Sequence, residues 1–327
     1  AAAGAFAMVE LYTPVFRVEV DGLDHTREVW RYLSSLEYTD AEEDESDTIN
    51  ITVANCPAFS IPKRGAALKL WLGWEESSMK YFGAFTVDEV SGQFKPASMT
   101  ISAKSADLTG GSTSKEKTDL EWENISLGDL AAKIAAKHGC KAKVLLDAHY
   151  TYQAQTRESD IAFLRRLAKE AGASLTIKDK TFVIAPYGKA VRAKSSISYT
   201  DVISGSWALQ EREKYQSVTA LWWNKDDAME ESVSSGDGKP AYVIKKRYAN
   251  AAEAQNAAAN YKIKLSKGEL ELDLTVAGNP TLVSGAKVAC SGFSPQDLNG
   301  SYLAKSVTHS ISKSSGWTTV VKLDRLS

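Results

Sequence analysis

Hydrophobic and polar residues alternate through most of the first hundred positions of this chain of 327 residues. Gly and Pro separate the alternating segments, whose apolar members are Phe16, Val18 and Val20; Ile49, Ile51 and Val53; Leu68, Leu70 and Leu72; Phe85 and Val87; and Met99, Ile101 and Ala103. A period of two is typical of half-buried antiparallel strands, because successive side chains point to opposite faces of a sheet. No convincing helical pattern interrupts these segments. The pattern predicts a β-domain and favours a small barrel.

The hydrophobic period changes to that of a helix from about residue 120. A first helix is predicted from Ser126, which forms a capping box with Asp129, to Gly139. A second helix is predicted from Ser159 to Gly172. The residues expected to face inward are Leu127, Leu130, Ala131, Ile134 and Ala135 in the first helix, and Ile161, Leu164, Leu167, Ala168 and Ala171 in the second. The strands that follow are 174–178 and 181–185, joined by an Asp179–Lys180 turn. Together these elements predict a compact α/β module.

Alternation returns in the last third of the chain. Its apolar members are Val218, Ala220 and Trp222, and then Leu270, Leu272, Leu274 and Val276. Between the two sets a helix is predicted over 250–267, capped by Asn250 and Glu253 and closed by Gly268. The residues expected on its inner face are Ala254, Ala257, Ala258, Tyr261 and Leu265. The segment Ser232–Lys239 is rich in Ser and Gly, which predicts a flexible loop.

One arrangement of glycines and apolar residues occurs twice, once in each β-rich part of the chain. The two matching patterns are Gly83-x-Phe85-x-Val87-x-x-Val90 and Gly300-x-Tyr302-x-Ala304-x-x-Val307. We interpret the match as an internal duplication of one β-unit; the alternative is that glycine-bounded meanders coincide by chance. The predicted fold is therefore α+β and mainly antiparallel β. It comprises a tube-like β-barrel domain over 9–118, a small α/β module over 119–188, and a second, similar barrel domain over 189–327 that contains the helix 250–267.

Composition and charge exclude several classes of partner. The hydrophobic fraction of 43% and the charged fraction of 24% are typical of a globular protein with a core. The 39 basic and 41 acidic residues leave a net charge of −2, which disfavours coating of nucleic acid or binding to anionic membranes. No apolar run is long enough to span a membrane. Ala1–Ala7, ahead of a start at Met8, are left out of the fold prediction.

The residue patterns that signal catalysis, cofactors or metals are missing from the sequence. Cys56, Cys140 and Cys290 are far apart and fit neither a zinc site nor a disulfide framework, which indicates idle thiols in a reducing compartment. The histidines, none in a metal-binding spacing, are His25, His138, His149 and His309. We expect His138 to interact with a helix C-terminus and His309 to be a structural histidine in a strand. The prediction is no catalytic, no cofactor-binding and no metal-binding residue, and no cofactor.

Two segments suggest a role in binding or hydrolysing the bacterial cell wall. The acidic run over 37–47 could supply carboxylates to a cell-wall hydrolase. A continuous solvated run, however, gives its members one shared environment rather than the separated pKa values that such catalysis needs, so a strand-joining loop or a patch for a basic partner is favoured. The first helix of the 119–188 module also has a faint likeness to wall-binding modules of the LysM type. The alternative is therefore a protein that binds or hydrolyses peptidoglycan.

Tryptophans are the remaining candidates for a functional role. Trp71, Trp74, Trp222, Trp223 and Trp317 all lie in or beside predicted strands. Adjacent Trp222 and Trp223 must point to opposite faces of a strand, so one is expected in the core and the other at a second surface. An exposed tryptophan on a strand is a candidate subunit contact, because aromatic residues are enriched at interface hot spots.

Four stretches of sequence together resemble one known family. They are QTRESDIAFLRRLAKEAGA (Gln155–Ala173), WALQEREKYQSVTALW (Trp207–Trp222), LDLTVAGNPTLVSG (Leu272–Gly285) and SGFSPQDLNGSYLAKSVTHSIS (Ser291–Ser312). From about Thr13 to Leu326 the chain is similar to the late control protein D family, the baseplate hub proteins of phages with contractile tails. Glu158, Ser159 and Asp160 match the family's E-S-D at a helix start, and Tyr215, Gln216, Ser217 and Val218 match a strand entry; neither match implies catalysis.

The resemblance implies a homotrimeric hub at the distal end of the tail tube, in a virion tail baseplate or tail-like particle assembled in the bacterial host cytoplasm. Each subunit would contribute two tube-like barrels, so a trimer would present six comparable units to the tube and threefold symmetry to the spike. The implied partners are the trimeric tail spike protein, the tail tube and tape measure proteins and the baseplate wedge proteins. Sequence-specific nucleic acid and membrane insertion are not implied.

The resemblance also implies a structural role and a relationship to the hub domains of type VI secretion spike proteins. The chain has no room for a needle or lytic domain before Ser327, so these functions are expected on other chains.

Overall fold

Seven strands and one short helix form the first part of the molecule, which we call unit N. The computed structural model describes residues 13–41, 46–54, 60–105, 117–178, 181–186, 193–209, 215–224, 227–265 and 270–326. The elements of unit N are β1 (Pro14–Val20), β2 (Leu23–Asp24), α1 (Thr26–Tyr32), β3 (Leu33–Asp40), β4 (Thr48–Ala54), β5 (Ala67–Trp74), β6 (Lys80–Phe94) and β7 (Ala97–Ser105). The apolar residues of the alternating segments form one core cluster, with Val20 partly buried against it. Their period of two thus corresponds to real strands.

Helix α1 corrects the expectation that no helix interrupts these strands. The Thr26 backbone N–H at its start donates a hydrogen bond to Asp24 Oδ1 at 2.9 Å. Val29 is the single buried residue among the seven of this helix. One buried residue leaves no helical period in the sequence, so pattern analysis could not detect α1.

The middle of the chain forms an α/β module, which we call module M. Its elements are β8 (Lys117–Ser126), α2 (Leu127–Lys137), β9 (Lys141–Val144), β10 (His149–Ser159), α3 (Asp160–Glu170), β11 (Ala173–Lys178) and β12 (Thr181–Pro186). The Ser126 hydroxyl accepts a hydrogen bond from the Asp129 N–H at 3.0 Å, and the Ser159 hydroxyl accepts one from the Ala162 N–H at 3.3 Å. These are the predicted helix starts, and the predicted inner faces are buried except for Ala171 at the end of α3.

The last part of the chain contains a second β-unit, unit C, interrupted by an insertion. The elements are β13 (Ala193–Ser198), β14 (Val202–Leu209), β15 (Ser217–Asn224), β16 (Met229–Ser235), β17 (Ala241–Tyr248), α4 (Ala251–Leu265), β18 (Leu270–Ala277), β19 (Ala286–Ser291), β20 (Gly300–Ser312) and β21 (Gly316–Arg325). Strands β15, β16 and β17 form a separate sheet that packs with α4 around its own core cluster. Residues 215–265 are therefore an insertion into unit C.

The insertion corrects two sequence predictions. Only the helix 250–267 was expected as an insert, whereas β15, with Val218 and Ala220, also belongs to it because these residues pack beneath the alanines of α4 rather than in unit C. Ser232–Lys239 was expected to be a loop, but Ser232–Ser235 lie in β16 and pair with β15. Small polar residues form a strand here because the backbone of β15 supplies their hydrogen bonds. Amino-acid composition alone does not reveal such a partner.

The insertion packs on module M at the end of α3. The Tyr248 hydroxyl donates a hydrogen bond to the Glu170 carbonyl at 3.0 Å, and the Asn260 side-chain amide donates one to the Ala171 carbonyl at 2.8 Å. Lys246 forms an ion pair with the Glu170 carboxylate. Module M and the insertion thus share one contact region.

Units N and C have the same order of paired strands. The order in unit N is β1-β5-β6-β7-β4-β3, and the order in unit C is β13-β19-β20-β21-β18-β14. Their ladders are also interrupted at corresponding places: Leu33/Ser35 in β3 and Val202/Ser204 in β14, and Val87/Glu89 in β6 and Ala304/Ser306 in β20. This agreement supports the internal duplication inferred from the sequence.

The correspondence between the units is incomplete at one strand. Strand β1 is antiparallel to β5, whereas β13 is parallel to β19. Among the described residues, the series of paired strands does not close on itself, so the predicted closed barrels are not shown. The coarser prediction of an α+β, mainly antiparallel protein agrees with the observed elements.

A tryptophan contact joins unit N to unit C. The Trp74 indole N–H of unit N donates a hydrogen bond to the Gly278 carbonyl of unit C at 3.0 Å. The rings of Trp74 and Trp317 lie 5.0 Å apart between centroids. Gly278 is pressed against the Trp317 indole, so a side chain at this position would overlap the ring.

We therefore expect Gly278→Ala to destabilise the protein by about 1–3 kcal/mol through overpacking. Gly128→Ala is the matched control, because the added methyl group would have the Ser126 hydroxyl as its nearest neighbour, 3.6 Å away, in the first turn of α2. Alanine should be neutral there or stabilise the helix by about 0.5–1 kcal/mol. Urea unfolding followed by circular dichroism measures both variants. Equal free energies of unfolding for Gly278→Ala and the parent protein would contradict the assigned packing of Gly278.

Candidate functional site: the seam between the two β-units

The central feature of the molecule is a seam at which β3 of unit N pairs antiparallel with β20 of unit C. In the ladder Leu36 lies opposite Ile311, Tyr38 opposite His309, and Asp40 opposite Val307. The hydroxyls of Thr39 and Thr308, which are also opposite each other, are 3.2 Å apart. This pairing merges both units into one sheet of thirteen strands.

Unit C contributes side chains to the core of unit N at this seam. Ile311 and Trp317 are both buried within the unit N cluster, together with Leu36 and Tyr38. Lys80 of unit N also donates a hydrogen bond to the Pro280 carbonyl of unit C at 2.6 Å. The units therefore share apolar packing as well as backbone hydrogen bonds.

His309 lies at the centre of the seam and is completely buried. Its Nε2 is 3.2 Å from the Leu282 carbonyl, which can only accept, so Nε2 carries the proton and Nδ1 accepts from the Thr319 hydroxyl at 3.0 Å. Its ring stacks on Tyr38, with 6.0 Å between centroids. Burial lowers the pKa of His309 to about 4, because removal from water disfavours the charged imidazolium. The expected structural role of this histidine is thus consistent with every contact it makes.

Two carboxylates of the acidic run also have structural contacts. Asp40 is fully buried, and its Oδ2 accepts a hydrogen bond from the Ser284 backbone N–H of unit C at 3.0 Å. Asp47 Oδ1 accepts one from the Ala41 N–H at 3.0 Å. Residues 42–45 of the run, including the candidate hydrolytic residues Glu43 and Asp44, lie outside the described residues. Asp40 therefore holds the seam, and Asp47 holds the connection that adjoins it.

The E-S-D residues singled out by the resemblance organise module M. The Asp160 carboxylate is almost fully buried and accepts from Gln155 Nε2 at 2.9 Å, Lys137 Nζ at 2.9 Å and His138 Nε2 at 3.0 Å. Burial alone would raise the pKa of Asp160, but the hydrogen bonds from these three groups lower it below its ordinary value. Glu158 binds the Arg166 guanidinium at 3.0 Å.

His138 therefore does more than was predicted for it. It is the C-cap residue of α2, as its position suggested, and its side chain also connects α2 to the start of α3. Sequence spacing could not reveal this contact, because its carboxylate partner lies on the next helix.

The other candidate residues are dispersed. His25 precedes α1, and His149 is exposed on β10. Trp222 packs against the insertion core while Trp223 is 48% exposed, as expected for adjacent residues of a strand. Tyr215 packs edge-on against Tyr242 at the entry to the insertion.

A metal site or a membrane-spanning helix is not apparent in the described ranges. No cluster of three or more histidine, cysteine or acidic residues is arranged there to hold a metal ion. Among the helices of those ranges, none is long and apolar enough to cross a membrane. Cys140 and Cys290 do not form a disulfide with each other, burial raises the pKa of Cys290 to about 12, and Cys56 lies outside the described residues.

Two exposed strand edges were missed by the sequence analysis. Within the described structure, β14 pairs only with β18, and all of its residues after Val202 are exposed, including Trp207 at 53% and Leu209 at 70%. The end of β6 pairs only with β7, and Phe94 there is 95% exposed. No alternation identifies either edge, since β14 after Val202 and the last four residues of β6 are exposed on both faces.

The duplicated unit and its packed seam define a protein built around one extended β-sheet. The family described as phage tail baseplate hub (GPD) matches residues 64–315, and the chain therefore belongs to this family. The resemblance recognised in the sequence is confirmed. The protein is a baseplate hub protein of phage-type tails, and thus a component of the virion tail.

Individual proteins agree with this assignment. The chain is 28% identical to a probable baseplate hub protein of Escherichia phage 186, over 95% of this chain and 92% of that protein. It is similar in fold to a tail protein of Neisseria meningitidis MC58, with a TM-score of 0.71, 14% identity and coverage of 96% and 97% of the two chains. An Escherichia coli component of the type VI secretion system has a TM-score of 0.58 and 11% identity, with coverage of 95% of this chain and 77% of that one.

His309 makes the seam sensitive to acid. The unfolded chain binds a proton on this residue near pH 6.5 and the folded chain only near pH 4, so stability is full above pH 6.5 and falls as the pH is lowered through this window. The loss attributable to His309 should approach about 3 kcal/mol. We expect His309→Gln to remove that part of the pH dependence between pH 7 and pH 4.5 in urea unfolding, and the exposed His149→Gln to retain it. A variant at position 309 with an unchanged slope would refute the assignment.

Proposed function

We propose that the protein forms a homotrimeric ring that joins the tail tube to the central spike. The observation that carries this proposal is the repeated strand order of units N and C, with ladder interruptions at corresponding places. Three chains with two such units each would present six comparable β-units. A ring of this kind would match a sixfold tube on one side while retaining threefold symmetry for a trimeric spike on the other.

The proposal assigns particular roles to the parts of the chain. The tube-like domains would be 9–118 and 189–327, each folded as a barrel-like unit, with the module 119–188 between them. The tail spike protein, tail tube protein, tape measure protein and baseplate wedge proteins would be the partners, and assembly would take place in the host cytoplasm. Function would depend on geometry and buried area, because obligate oligomers commonly bury more than about 2,000 Å².

The predicted assembly can be weighed directly. Mass photometry and light scattering of the purified chain should give a species of three times 35.5 kDa, or, on addition of the spike protein, a complex of that mass plus the mass of the spike. A chain that remains monomeric and also fails to assemble with spike or tube would contradict the proposal. Clearing of peptidoglycan by the purified protein, lost in Glu43→Gln or Asp44→Asn, would instead favour the cell-wall hydrolase.

A further inference from the structure

Strand β3 has a partner that its counterpart β14 lacks. In unit N, β3 pairs with β4 on one side and with β20 of unit C on the other. In unit C, β14 pairs with β18, and no described strand lies against its other side. The counterpart of β20 is β6, whose end is likewise paired on one side only, with β7. Each chain thus contains one complete seam, between β3 and β20. It also contains the two edges of a second seam, β14 and the end of β6, which do not pair with each other.

The ladder interruptions define the correspondence residue by residue. After the interruption in β3, Leu36 lies opposite Ile51 of β4; after the interruption in β14, Gly205 lies opposite Leu274 of β18. The segment 205–209 therefore corresponds to 36–40. By the same criterion, 90–94 in β6 corresponds to 307–311 in β20, the residues that pair with β3.

We propose that β14 of one copy pairs antiparallel with the end of β6 of the next copy, and that this pairing is the seam between subunits. The register of the seam within one chain places Val90 opposite Leu209, Gly92 opposite Trp207, and Phe94 opposite Gly205. This inference rests on the proposed trimer and specifies how its subunits join.

The side chains on the two edges are complementary in size. Trp207 meets Gly92 and Phe94 meets Gly205, so each large residue lies opposite one without a side chain. Phe94 corresponds to Ile311, which is fully buried in the core of unit N. Phe94 would accordingly enter the core of unit C in the copy that contributes β14, near Leu274, whose side chain lies beside Gly205.

The composition of the two edges also fits a buried contact. Exposed edge strands usually carry charges or proline, which prevent pairing with other chains. The sequences of β14 (VISGSWAL) and of 90–94 in β6 (VSGQF) contain neither. Aromatic residues at such positions are typical of interface hot spots.

The contact would join two different edges and is therefore heterologous. Heterologous contacts repeated from copy to copy form either a closed ring or an open filament, depending on the rotation per step. Within one chain, the β3–β20 seam already sets the rotation from unit N to unit C. If the seam between chains repeats this rotation, all steps around the assembly are equivalent, and six steps of one-sixth of a turn close with three chains.

Substitution of Phe94 tests the contact without changing the fold of a single chain, because the side chain is 95% exposed there. Phe94→Asp should raise the dissociation constant of the trimer by roughly tenfold or more, measured by mass photometry over a dilution series. Leu120→Asp, at a 43% exposed position on β8, is the control and should leave assembly unchanged. Far-ultraviolet circular dichroism spectra that coincide with that of the parent protein establish that both variants are folded. Unaltered assembly of Phe94→Asp would overturn the proposed seam.

Cross-linking tests the register. The hydroxyls of Thr39 and Thr308 are 3.2 Å apart, and Ser91 and Ala208 are their counterparts. The double variant Ser91→Cys with Ala208→Cys should therefore oxidise to a covalent trimer on a non-reducing gel. Each single variant should give no trimer, and neither should the pair Ser91→Cys with Ser232→Cys, which places the second thiol on the insertion.

The outcomes separate this inference from the proposed function. A trimer by mass without the specific cross-link would disprove the seam and leave the trimeric hub intact. A monomer by mass that also fails to cross-link or to assemble with spike and tube would contradict both.

Discussion

The pairing of β3 with β20 is the interaction on which the architecture depends. It gives both strands a full set of backbone partners over five residue pairs, and it encloses Ile311 and Trp317 of unit C in the core of unit N. The units cannot separate without exposing these side chains and the buried groups Asp40 and His309. The angle between the units is consequently set by a register of hydrogen bonds and by close packing, which resists bending far better than a linker would.

This arrangement leaves the connections free to vary. The connection from β3 to β4 in unit N contains residues 41–47 of the acidic run, and the corresponding connection from β14 to β18 in unit C contains the entire insertion. Module M lies in the connection from β7 to β13. Added residues at such places cost little because loop-closure entropy grows slowly with length. The strand order of the duplicated unit is therefore unaffected by inserts that differ greatly in size.

Much of the fold could be predicted from local patterns, and the site could not. The alternation of Leu68, Leu70 and Leu72 predicts a strand because one face of that strand is buried. Ser126 predicts the start of a helix because its side chain caps that helix. The matched glycines even indicated the duplication. The partner of His309, by contrast, depends on which strands meet, and β14 carries no periodic signal because neither of its faces is covered in a single chain. Pairing between distant segments and exposure to a second chain are not properties of a local pattern.

The two copies of the seam differ in a way that follows from when each would form. Within a chain, the Tyr38–His309 pair can include a buried imidazole because Thr319 and Leu282 of the same chain satisfy both of its nitrogens. In the proposed seam between chains, both edges would have to remain soluble before they meet. Any polar group placed there would lose its water on assembly without an assured partner, at a cost of roughly 1–3 kcal/mol. The Trp207–Gly92 pair reduces that cost, since its indole N–H is the one polar side-chain group at the position that Tyr38 and His309 occupy within the chain. The two copies of the duplicated unit therefore differ at these positions because one seam forms permanently within a chain, whereas the other would form later, between chains.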